Sequence, residues 1–99
     1  MTTEPLWKGG ELLHKLVADY LEGRIDAALF CDNFETAFNF EVDRSQLTPL
    51  EEDVFQGLFR QVVYYSPFAE ERAQIPTYRS EEQIRQAASD AQTRLRDPA

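Results

Sequence analysis

Between Thr48 and Val63 the chain carries a helix whose beginning and buried face are both legible in its residue types. Thr48-Pro49-Leu50-Glu51 pairs an N-cap hydroxyl with a glutamate three residues on and sets proline at the first helical position, where its missing N–H costs nothing. Leu50, Val54, Phe55, Leu58, Phe59, Val62 and Val63 then recur at the spacing of one helix face, and the helix is expected to run to Tyr65, with Ser66-Pro67 ending it. Gly57 lies inside it at a cost of about 1 kcal/mol relative to alanine, so close packing against a neighbour is expected there.

Three further segments carry the same period. Leu12, Leu13, Leu16, Val17, Tyr20 and Leu21 share a face after a loose start with Trp7 and Gly9-Gly10, and Gly23 stops that helix. Asp26 caps the second, with Ile25 and Phe30 placed as a hydrophobic staple, and Leu29, Phe30, Phe34, Ala37 and Phe38 as its face. Ser80 with Gln83 opens the last, whose face is Ile84, Ala87, Ala88, Ala91 and Leu95, and Pro98 stops it. Phe40 to Leu47 and Pro67 to Arg79 read as loops, the second the longest irregular piece. No stretch sustains a two-residue alternation. The expectation is all-α: a four-helix antiparallel up-and-down bundle, a single domain over residues 1–99 ordered at about 10–96, with a core led by Leu16, Phe30, Phe34, Phe55, Leu58, Val62 and Ile84.

The net charge of −8 is unevenly placed. Residues 1–53 hold twelve acidic side chains against four basic ones, whereas residues 54–99 hold six of each. Such a surface repels nucleic acid and speeds encounter with basic proteins. No apolar run is long enough to cross a bilayer, no secretory leader opens the sequence, and Cys31 has no second cysteine to pair with. A cytoplasmic location is the corresponding expectation.

Catalytic groups are sparse. His14 is the sole histidine, and Glu11-Leu12-Leu13-His14 has the Glu-x-x-His spacing of four-helix di-iron sites without the second motif such a site requires. Solvent-facing is the expected state of His14. Cys31 sits in a helix beside Asp32, which opposes thiolate formation. No phosphate loop is present, and Asp32 and Glu35 have the spacing of an ordinary polar helix face. The expectation is a protein without enzyme activity, metal or cofactor. Glu51, Glu52 and Asp53 suit the positive end of a helix dipole, which leaves Asp32, Glu35, Glu41 and Asp43 to complete one negative surface.

The order of features is also informative: an apolar first helix, the Leu21–Asp26 turn Leu-Glu-Gly-Arg-Ile-Asp, a second helix through Phe30 and Phe34, the capped third helix, a loop arginine at Arg72, and Ser80-Glu81-Glu82-Gln83-Ile84-Arg85 opening the last helix. Over roughly residues 11–96 this order resembles the bacterial self-protective, colicin-D-like immunity proteins. The resemblance implies an antiparallel four-helix bundle that blocks the active site of a cognate basic toxin, an RNA-cleaving, tRNase-like nuclease of a bacteriocin or contact-dependent inhibition system. Its acidic surface would take the place of substrate phosphates. The expected toxin-binding residues are Asp32, Glu35, Glu41, Asp43, Glu51, Glu52 and Asp53, with Tyr64, Tyr65 and Tyr78 as aromatic anchors. The alternative is an acidic helical adaptor or regulatory subunit for another basic protein, and a small enzyme working through carboxylates alone comes third.

Overall fold

The computed structural model describes residues 10–96; Trp7, Gly9 and Pro98 lie outside them. Four longer helices, α1 (Glu11–Leu21), α2 (Ala27–Thr36), α3 (Pro49–Val62) and α5 (Glu81–Arg96), are joined by turns and by a short α4 (Ala69–Gln74). The chain is all-helical. Tyr65 and Arg79 form an isolated parallel bridge.

The helix starts form as their residue types dictate. The Asp26 side chain accepts from Leu29 N–H at 2.8 Å. Thr48 and Glu51 exchange side-chain and backbone hydrogen bonds at 3.0 and 2.9 Å, and Ser80 and Gln83 do the same at 2.8 and 3.2 Å. Each cap satisfies N–H groups that lack an intrahelical partner. At the end of α1, Gly23 takes φ +84°. Arg24 N–H then reaches Asp19 C=O at 2.8 Å and Gly23 N–H reaches Tyr20 C=O at 3.1 Å, a Schellman closure.

α1 packs on α2, α2 on α3, α3 on α5, and α5 on α1. All seven residues expected to lead the core are buried. An aromatic column runs through it: Tyr20 stacks on Phe30 at 4.6 Å, Phe34 follows at 5.6 Å, and Phe38 and Phe55 each lie 6.0 Å from Phe34. Phe59 closes on Phe38 at 5.0 Å. Phe30, Phe34 and Phe38 supply three members of the column because residues four apart stack on one helix face.

Several expectations need correction. The 67–79 connection contains α4, a turn of helix with no buried residue. Its anchor is Ser66, the one buried polar side chain among the described residues: Ser66 Oγ donates to Glu71 at 2.7 Å and Ser66 C=O accepts from Arg72 at 2.6 Å. The two ends of the segment are tied by Ser66 N–H to Arg79 C=O and Arg79 N–H to Tyr64 C=O, at 2.9 and 2.8 Å. α3 stops at Val62, so Val63 is exposed, and Leu29 faces outward from the first turn of α2. Gly57 does not mark a close approach, because a Cβ there would meet nothing within 4 Å. It borders an open groove of about 460 Å³ between α3 and α5. The close approach is at Gly10, where a Cβ would stand 3.1 Å from Glu51 Oε2 and 3.2 Å from Phe55.

The 40–47 segment is also more ordered than a loop. α2 passes into a π turn, Ala37–Glu41, closed by Val42 N–H to Ala37 C=O at 2.9 Å, and a 3-10 turn, Arg44–Gln46, follows. In an unbroken α-helix, position 41 would lie seven residues after Phe34 and face inward. The wider π turn instead leaves Glu41 exposed and buries Val42.

Candidate functional site

Seven acidic side chains and one basic one, Arg44, fall between residues 32 and 53. The Arg44 guanidinium lies over the Phe38 ring, 4.6 Å from its centroid. Asp32 is exposed on α2, and Glu35 is partly buried one turn later. Burial, with the Asp32 charge adding to it, pushes the Glu35 carboxyl above its ordinary range. Asp43 is bound locally, accepting from Ser45 N–H and Oγ at 3.1 and 2.6 Å.

Glu51 is engaged twice. Besides capping α3 it accepts from His14 Nε2 at 2.9 Å, and the His14 ring stands edge-on to Phe55 at 5.1 Å. Burial opposes ionisation of Glu51, but the Thr48 backbone hydrogen bond and the His14 contacts outweigh it and hold the carboxyl below its ordinary range. His14 is therefore an exposed residue with a partner, pinning α1 to the start of α3. Glu52 and Asp53 are exposed; Asp53 meets Arg94 of α5 at 3.0 Å, a surface pair of small energetic weight.

The first two turns of α1 lie beside two of these acidic groups, Glu51 and Glu41. His14 touches Glu51 on one side, and Leu12 and Leu16 share a hollow of about 300 Å³ with Asn33, Thr36 and Glu41 on the other. The tyrosines lie elsewhere. Tyr64 follows Asp53 by about 16 Å of helical rise and is exposed past the end of α3. Tyr65 packs against the core, with burial pushing its phenol up, and Tyr78 N–H turns back to Ile75 C=O at 3.0 Å. Glu51, Glu52 and Asp53 thus lie at the start of α3, and Tyr64 and Tyr65 just past its end.

Phe40 is the residue that the sequence pattern did not single out. Its side chain is 76% exposed, between the exposed Asn39 and Glu41, whereas Phe38 is buried. Two phenylalanines two positions apart on a helical turn must diverge by about half a revolution, but which one faces out depends on what the helix packs against.

Cys31 is buried, and burial, with Glu35 and Asp32 contributing, pushes its thiol up to about 12. Such a thiol stays protonated and is a poor nucleophile. Among the described residues no group of three or more His, Cys, Asp or Glu side chains is placed to hold a metal ion, and no helix is long and apolar enough to cross a membrane.

No curated protein and no solved structure gives a significant match to the chain. The family model described as bacterial self-protective colicin-like immunity matches residues 12–95, from the first apolar residue of α1 to the last of α5. With most of the sequence inside that match, and with an all-helical fold bearing the acidic segment, the chain belongs to the colicin-like immunity family, whose role is to neutralise a toxin without catalysis.

Proposed function

We propose that this protein protects a cell by covering the substrate cleft of a basic, RNA-cleaving toxin of the colicin D kind with the acidic face that runs from Asp32 to Asp53. The observation that carries the reading is the concentration of seven carboxylates in that segment, whose sole cation is stacked on Phe38. Carboxylates held on a helical scaffold repeat the negative charge of substrate phosphates without a bond the nuclease can break, and opposite potentials on the two surfaces speed encounter. In this reading the four longer helices form an antiparallel bundle, Asp32, Glu35, Glu41, Asp43, Glu51, Glu52 and Asp53 supply the charged surface, and Tyr64, Tyr65 and Tyr78 supply contacts at its far edge. The complex forms in the cytoplasm, where a tRNase finds its substrate.

Co-expression with the toxin domain encoded beside the gene tests this. Glu51 and Asp43 support local structure, so the informative pair is Glu41→Lys with Glu52→Lys, both exposed. The double variant is expected to lose protection while melting as the parent does. Glu81→Lys with Glu82→Lys, in the electrically neutral half, is expected to keep it. Full protection by the Glu41/Glu52 variant, with unchanged association kinetics, would show that the acidic face is not the inhibitory surface.

A further inference from the structure

The hollow between α1, α2 and the π turn is lined, among the described residues, by side chains that suit a long cationic side chain. Leu12 and Leu16, one turn apart on α1, give it an apolar wall; Asn33 and Thr36, three apart on α2, give an amide and a hydroxyl; Glu41 adds a single carboxylate. None of the five is basic. Among the described residues, the cations nearest them in the chain are engaged elsewhere, Lys15 by Asp19 at 2.8 Å and Arg44 over the Phe38 ring. Its volume of about 300 Å³, partly open to solvent, is enough for one long side chain.

An arginine carries the complementary parts in the same order. Its methylene stem packs on apolar surface, and its planar guanidinium presents five donors, enough for a carboxylate and two further oxygens. A divalent cation would want several oxygen ligands that the leucines do not provide, and an anion would be repelled by Glu41. We propose that the hollow is a socket for one arginine side chain of the basic partner, its stem on Leu12 and Leu16 and its guanidinium on Glu41, with the exposed Phe40 ring as the adjoining apolar contact. This rests on the toxin-binding reading of the acidic face and adds to it the kind of side chain received there.

The first experiment needs no toxin. An amide-resolved NMR titration uses Nα-acetyl-arginine amide as the probe and the uncharged citrulline counterpart as the control. Saturable shifts are expected at Leu12, Leu16, Asn33, Thr36 and Glu41 with the arginine probe, absent with citrulline, lost in Glu41→Gln and kept in Glu52→Gln. Shifts spread evenly over the carboxylates, equal with citrulline, or retained in Glu41→Gln would overturn the socket and leave the toxin-binding reading standing. The second experiment fills the hollow from its exposed rim with Thr36→Trp. The complex with the toxin domain encoded beside the gene is then expected to dissociate at least about tenfold faster, with the salt dependence of association unchanged. An unaltered dissociation rate would overturn the socket, whereas an association rate insensitive to salt in every variant would overturn the acidic-face reading itself.

Discussion

Glu35 and Glu51 are both partly buried carboxylates, yet their surroundings push them in opposite directions. Glu35 gains no hydrogen bond that offsets its burial, and Asp32 repels its charge. A carboxyl raised in the folded state favours folding when protonated, so its contribution is fully present below the ordinary value of 4.5 and is lost as pH rises through the folded value. Glu51 has the reverse sign. Held low by Thr48 and His14, it stabilises the fold above 4.5, and that contribution fades as pH falls through the lowered value. Thermal melts should accordingly show Glu35→Gln more stable than the parent at pH 7 and level with it in acid. Glu51→Gln, which retains a capping amide, should be less stable at pH 7 and converge with the parent as pH falls below 4. A Glu35→Gln variant that melts lower at pH 7 would mean that the charge is compensated by its neighbours. If Glu35 also faces the toxin, it is a charge kept at some expense to the fold.

Among the helices, three glycines of similar appearance in the sequence have three different reasons to be there. Gly23 adopts a left-handed conformation that a side chain strains, Gly10 lies against α3, and Gly57 faces an open groove. Chemical denaturation should therefore find Gly57→Ala stabilised by about 1 kcal/mol through helix propensity. Gly23→Ala should lose about 1–2 kcal/mol, the strain of a left-handed residue. A destabilised Gly57→Ala would indicate that the groove closes in solution. The π turn makes a related point, since a single widened turn exchanges Glu41 for Val42 at the core and so supplies both a buried apolar residue and an outward carboxylate.

For the molecule as a whole, the asymmetry of charge is the property on which the proposed mode of toxin binding rests. All of the net −8 belongs to residues 1–53, where Glu51 and Glu52 stand in the first turn of α3 and Glu41 shares a hollow with Leu12 and Leu16 of α1. Long-range attraction of this kind acts on encounter and is screened by salt over about 8 Å at physiological ionic strength. The association rate with the toxin domain should fall steeply between low and physiological salt, by tenfold or more on the order seen for steered complexes, while dissociation changes little. Stopped-flow measurement across that range checks it. Dissociation carrying most of the salt effect would point to buried ion pairs as the principal interaction.

Local chemistry made much of this legible from residue types alone. The caps at Asp26, Thr48 and Ser80 depend on side chains and N–H groups three positions apart, and the core positions of Phe30, Phe34, Phe55, Leu58, Val62 and Ile84 depend on a period that repeats within each helix. Charge is additive, so the acidic half was visible by counting. The sequence determined these because each is settled within a few residues. Tertiary structure alone decided that Leu29, Phe40 and Val63 face outward, that α4 forms against Ser66, that His14 meets Glu51, and that Leu12, Leu16, Asn33, Thr36 and Glu41 enclose one hollow. Each of these joins residues from separate elements, or turns on which way a helix end leaves the core. The packing of one helix against another settles such questions, and no local rule encodes it.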